Sequence, residues 1–135
     1  MLFRSDDYLL RVIPTLDNKL LIFWMEEAWP NAVLKYTKID QDGNIEIGWN
    51  PNGNSLSNSY FDARNLQVKV IDDNSGVLAV WTQSALEGTS VLPTDIYAQV
   101  IDWDGNTLYA DGGVSVTDAD NDQVNFSFED RKSVV

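Results

Sequence analysis

Apolar positions in this chain recur at every second residue over short runs. Leu20, Ile22 and Trp24 fall on one face of an extended segment, and Ile45, Ile47 and Trp49 on one face of another. β-Branched and aromatic residues dominate these runs, and Gly, Asn, Asp and Pro punctuate them. The pattern predicts strands at residues 11–15, 20–24, 34–40 and 45–49, and again at 68–72, 77–81, 95–102 and 106–109. No long segment carries a helical stripe. The stretch "IFWMEEAWPNAVLKY" comes nearest, and Pro30 with its bulky aromatic neighbours argues against a helix there.

The two sets of strands are copies of each other. "LRVIPTLDNKLLIFW" at 10–24 matches "QVKVIDDNSGVLAVW" at 67–81, with Trp24 and Trp81 in register. "AVLKYTKIDQDGN" at 32–44 matches "DIYAQVIDWDGN" at 95–106, and "GNSLS" at 53–57 matches "GVSVT" at 113–117. "QVNFSFED" at 123–130 aligns with the start of the second copy. The repeat is about sixty residues long. This predicts a first repeat at 1–64, a second at 65–122, and at 123–135 the start of a third or a C-terminal strand. "TQSALEGTSVLPT" at 82–94 is extra length in the second copy and reads as an exposed loop.

Four short antiparallel strands per repeat describe a β-propeller blade. The expected fold is therefore all-β, with about two propeller-like blades and the first strand of a third; a β-sandwich of the same strands is the alternative. The second copy, "DDNSGVLAVW" followed by "TDIYAQVIDWDGNTLYADGGVSVT", resembles the propeller-like repeats of large secreted or cell-surface bacterial proteins, notably of Bacteroidota. The first copy departs from that pattern where "NAVLKYTKI" replaces "DIYAQVI" and where Pro51-Asn52 widens a turn. The resemblance implies an extracellular or cell-surface setting and a non-catalytic structural or binding module that contacts protein or carbohydrate. Its competitor is part of a glycan-active, sialidase- or glycosidase-like propeller completed by further blades. Propellers close with roughly four to eight blades, so further blades of a longer chain, or a homo-oligomer, are expected partners.

Composition narrows the chemistry. The chain has no Cys and no His, which excludes thiol nucleophiles, disulfides and Ser-His-Asp triads. Its net charge is −12, which repels a phosphate backbone and argues against nucleic-acid binding. No apolar run is long enough to cross a membrane as a helix, so membrane insertion is not expected. The opening "MLFRSDDYLL" lacks the apolar core of a signal peptide, so either the protein is cytosolic or its export signal has been removed or lies outside this sequence.

Four groups of residues are weighed as candidate sites. Asp42-Gly43 and Asp104-Gly105 predict hairpins, with Asp-Gly favouring a type I′ turn. In "DADNDQVNFSFE", Asp118, Asp120 and Asp122 alternate as in a calcium loop, with Glu129 at the closing position; Gln123 stands where an EF-hand needs Gly. A looser calcium site from these three Asp is the metal expectation. Trp103, Trp29 and Trp49 sit at or beside turns and are the candidate ligand-binding residues, able to stack on a sugar ring beside Asp and Asn. Glu26-Glu27 is the most suggestive carboxylate pair, but neighbours on one strand point apart, and no catalytic residue is assigned.

Overall fold

The computed structural model describes residues 7–28, 31–84, 86–87, 90–91 and 94–116. Within them the chain is all-β. The strands are β1 (Asp7–Pro14), β2 (Leu20–Ala28), β3 (Asn31–Ile39), β4 (Asn54–Ser55), β5 (Asp62–Val70), β6 (Gly76–Ser84), β7 (Leu86–Glu87), β8 (Ser90–Val91), β9 (Asp95–Asp102) and β10 (Val114–Ser115). Two antiparallel four-stranded sheets result, ordered β1-β2-β3-β4 and β10-β9-β6-β5. Each sheet is a meander, the connectivity of a propeller blade, and the two do not close into a ring. The inserted segment of the second repeat carries a separate two-stranded ladder, β7 with β8.

The repeat is visible in the register. Phe23 pairs with Tyr36 as Val80 pairs with Ala98, and Ile22 with Thr37 as Ala79 with Gln99. Each first strand is longer than its alternation suggests. It breaks register once, between Leu9 and Arg11 in β1 and between Arg64 and Gln67 in β5, and this bulge hides the true strand length from a period-2 reading.

The expected fourth strands at 45–49 and 106–109 are corrected. Each forms only one bridge, Ile39 to Ile45 and Ile101 to Thr107. Trp49 N–H then closes a turn on the carbonyl of Glu46 (3.1 Å), and Ile47 is 95% exposed. Ile45, Ile47 and Trp49 therefore share no sheet face. The fourth strands are the two-residue β4 and β10, which begin just after the matched Gly53 and Gly113.

The hairpin turns are also of another type than expected. Asp40 N–H donates to Asn44 O (2.8 Å) and Gly43 N–H to Asp40 O (3.1 Å), and Gly43 has φ +84°. Asp42 is not among the positive-φ residues, so this is a type I turn closed by a left-handed Gly rather than type I′. The side chain of Asp40 accepts two further bonds, from the N–H groups of Asp42 and Asn44 (2.9 Å each). Asp102 repeats them with Asp104 and Asn106. The Asp that leads each turn is thus its internal acceptor.

The core lies between the sheets. Leu21, Phe23, Leu34, Tyr36 and Leu56 from the first sheet meet Ala63, Leu66, Val77, Ala79, Trp81 and Ile101 from the second. Each large apolar side chain buried there contributes about 1.5–3 kcal/mol. Trp24 and Trp81, the register markers, are both fully buried. Each lies under the Gly that opens its own fourth strand. A Cβ at Gly113 would come within 2.7 Å of Trp81 Cη2, and one at Gly53 would run into the ring of Trp24. This close approach is why Gly recurs there.

Candidate functional site

Polar bonds between the sheets set the geometry of the junction. Lys38, on β3, is only 3% exposed. Its ammonium donates to Trp103 O (2.7 Å) in the second repeat and to Asp17 Oδ2 (3.1 Å) in the first. A buried cation needs such partners to offset its lost hydration. Tyr36 donates its hydroxyl hydrogen to Gly105 O (3.2 Å), and burial raises its phenol above 10.0. Trp49 meets Tyr36 edge-on at 6.0 Å and lies against Gly105. Asp62 accepts from Ala32 N–H (2.6 Å) and pairs with Arg64 (2.8 Å), which pins the start of β3 to the start of β5.

Above this junction the sheets part into a cleft of about 800 Å³. One wall comes from residues 50–59, including Asn50, Asn52, Asn54, Ser55 and Asn58. The other comes from Gln99, the turn at Gly105, Asn106 and Thr107, and Asp111-Gly112. Lys35 is the cation among these lining residues and Asp111 the carboxylate. The remaining polar side chains are neutral amides and hydroxyls, which suit a neutral, multiply hydroxylated ligand better than an ion.

The walls are held by bonds of their own. Asn50 Oδ1 accepts Asn52 N–H (2.9 Å) and Asn58 Oδ1 accepts Tyr60 N–H (2.9 Å). Ser57 Oγ accepts Leu34 N–H (2.9 Å). Gln99 accepts from Tyr109 N–H (2.9 Å) and donates to Tyr109 O and Ala110 O, so it fixes the loop leading to β10. The matching residue in the first repeat is Thr37, fully buried and too short to do this, and its hydroxyl has no hydrogen-bond partner. The first repeat departs from the second in sequence at this same place.

A smaller concavity of about 400 Å³ borders Asp17, Lys19, Lys38, Glu46, Trp49 and Asp104. It is a charge network. Lys19 pairs with Glu46, which raises the Lys19 ammonium above its ordinary value. The Thr15 hydroxyl, and then Lys38, hold the Asp17 carboxyl below the usual carboxylate range.

Of the residues singled out in the sequence, Trp49 lines this second concavity and packs on the core. Trp103 lines neither concavity. It packs against the core, and its indole N–H donates to Asn74 O (2.6 Å). Trp29 lies outside the described residues, as do Asp118, Asp120 and Asp122. Among the described residues no three acids gather into a metal-holding group. Glu26 faces Lys35 (3.5 Å) and Trp24 Nε1 (3.2 Å), while Glu27 pairs with Arg64 (3.7 Å), so the adjacent carboxylates serve separate partners. The cleft itself was not singled out in the sequence. Its signal is the Asn- and Ser-rich run "NPNGNSLSNSY" at 50–60. No family model, curated protein or solved structure matches this chain.

Proposed function

We propose that the chain is a non-catalytic binding module of an extracellular or cell-surface bacterial repeat protein, and that the cleft between its two sheets takes carbohydrate. The observation that carries this reading is the lining. Neutral amides and hydroxyls from two repeats converge on one cleft, as recognition of sugar hydroxyls requires. The resemblance of the second repeat to surface-protein propeller repeats supports the setting. The glycan-active alternative asks for two positioned carboxylates, and among the described residues Asp111 is the one carboxylate on the cleft wall.

The test is titration with a panel of neutral oligosaccharides, followed by backbone amide shifts. Asn52 and Thr107 lie on opposite walls and are both exposed. Binding shifts resonances on both walls, and Asn52→Ala and Thr107→Ala each weaken it about fivefold, the value of one lost hydrogen bond of about 1 kcal/mol. A panel that leaves the cleft resonances unmoved overturns the reading.

A further inference from the structure

The face of the second sheet turned away from the junction is apolar and covered. Leu78 and Val80 on β6 and Ala98 on β9 are 8%, 8% and 6% exposed. Leu78 pairs with Lys69 and Val100, and Val80 with Gln67 and Ala98, so all of these share that face. The partly buried apolar side chains packed with them, Ile71, Ile96 and Val100, belong to the second repeat as well. A sheet hides an apolar face from water only when another layer is laid over it. The cover here is narrow. Val114, which pairs with Ala98, is 40% exposed, and Val116 is 57% exposed. On the first sheet the matching face carries Phe23, Tyr36 and Leu56, and Leu56, the counterpart of Val116, is 1% exposed under a whole sheet. On the second sheet the cover stops short of β10, as a single strand would and a second sheet would not.

The repeat order names the strand. In the first repeat β5 follows the short fourth strand and runs against β3. "QVNFSFED" at 123–130 follows β10 in the same order, and its Val124, Phe126 and Phe128 stand where β5 has Leu66, Val68 and Val70. Side-chain sizes change places between the copies. In the junction, large Phe23 and Tyr36 meet the smaller Leu66, Val68 and Val70. On the outer face the matching positions are small, Val80 and Ala98, and the segment supplies large Phe126 and Phe128, which conserves the packed volume. Charge agrees. Lys69 on this face is the only base between Arg64 and Arg131, and it holds an interaction partner. The segment and its approach carry Asp118, Asp120, Asp122, Glu129 and Asp130. The path is short as well. Val116 N–H donates to Ile96 O (2.7 Å), so the chain leaves β10 beside this face, and residues 118–122 span up to about 17 Å. The insert of the second repeat leaves β6 at Ser84, about 20 Å along the strand from Leu78, and residues 1–6 lead into the first sheet.

We propose that residues 123–130, which lie outside the described residues, seat as a strand across this outer face of their own chain, with Val124, Phe126 and Phe128 on Leu78, Val80 and Ala98. The second sheet then receives the first strand of a third repeat as the first sheet receives β5. This goes beyond the ligand reading and does not depend on it.

The test is NMR on the full chain with labelled Ala, Val and Leu methyls. Nuclear Overhauser contacts should join the Phe126 and Phe128 rings to the methyls of Val80 and Ala98, and ring currents should move those methyls upfield. The double change Phe126→Leu and Phe128→Leu keeps the segment apolar and should abolish the upfield shifts, while the Val12 methyls on the first sheet stay where they are. In a mixture of labelled and unlabelled chains, no such contact should cross from one copy to another. A parent chain without these contacts overturns the proposal. So do contacts that form only between copies, and so do upfield shifts that survive in the double variant.

Discussion

Gly113→Ala should be among the most damaging single-methyl changes in this protein. The added Cβ would lie 2.7 Å from Trp81 Cη2 and 2.8 Å from the carbonyl oxygen of Ala98. Neither neighbour yields easily: the indole is fully buried, and the carbonyl belongs to β9. Overpacking of this kind costs about 1–3 kcal/mol. The φ of +84° adds about 1–2 kcal/mol for any residue with a Cβ. The sum is about 2–5 kcal/mol, a large share of the roughly 5–15 kcal/mol by which domains are stable. Gly43→Ala supplies the control. It has the same φ of +84°, with nothing within 4 Å of the new Cβ, so only the strain remains. Urea denaturation followed by far-ultraviolet circular dichroism gives both values, and about 4 °C of melting temperature accompanies each kcal/mol. The reasoning is refuted if Gly113→Ala proves no more destabilising than Gly43→Ala.

Three further predictions follow from the junction and from the sequence. Burial raises the Tyr36 phenol above 10.0, so the unfolded chain ionises there first and stability falls as pH rises past 10.0; Tyr36→Phe flattens that loss in alkaline melts and costs about 1 kcal/mol at neutral pH. Lys38→Met leaves Trp103 O without its donor and costs about 1–3 kcal/mol in denaturant titration. In the parent chain, the stability that Asp17 contributes is present above its ordinary value of 3.8 and is lost as pH falls through the lowered folded value. In Lys38→Met the Asp17 titration seen by NMR moves up toward 3.8 and stays below it, because the Thr15 hydroxyl remains. Calcium at about a hundred times its dissociation constant should stabilise the chain by about 2.7 kcal/mol through the Asp118, Asp120 and Asp122 run, and Asp120→Ala should abolish the shift; equal melts with calcium and with chelator would refute the site.

Strands two and three of each repeat were legible because they are long, β-branched and anchored by Trp24 and Trp81. The fourth strands were not. Ile45, Ile47 and Trp49 alternate like a strand, yet the chain turns at Gly48 (φ +90°), and the paired segment beyond is two residues long. Periodicity cannot register so short a strand, whereas the match of Gly53 with Gly113 could. The Asp-Gly pairs announced hairpins correctly but not their type, since the deciding bonds come from Asp40 and Asp102, two residues ahead. The cleft was half legible in the Asn and Ser of residues 50–60. Its other wall begins 40 residues further on in sequence, and the Trp103 carbonyl that accepts from the buried Lys38 lies 65 residues from it: pairings of that kind exist only after the sheets have met.

The central claim is that the two repeats stack face to face through Tyr36, Lys38 and Trp49. The α-proton shifts of the glycines, measured by NMR, test it most directly. Gly53 and Gly113 lie on Trp24 and Trp81 within their own sheets, whereas Gly105 of the second repeat lies on Trp49 of the first. The account predicts upfield ring-current shifts at all three, with nuclear Overhauser contacts from Trp49 to Gly105 and none from Trp24, Trp49 or Trp81 to Gly43. Shifts at Gly53 and Gly113 with an unshifted Gly105 would contradict it, leaving two formed sheets that do not meet in this way.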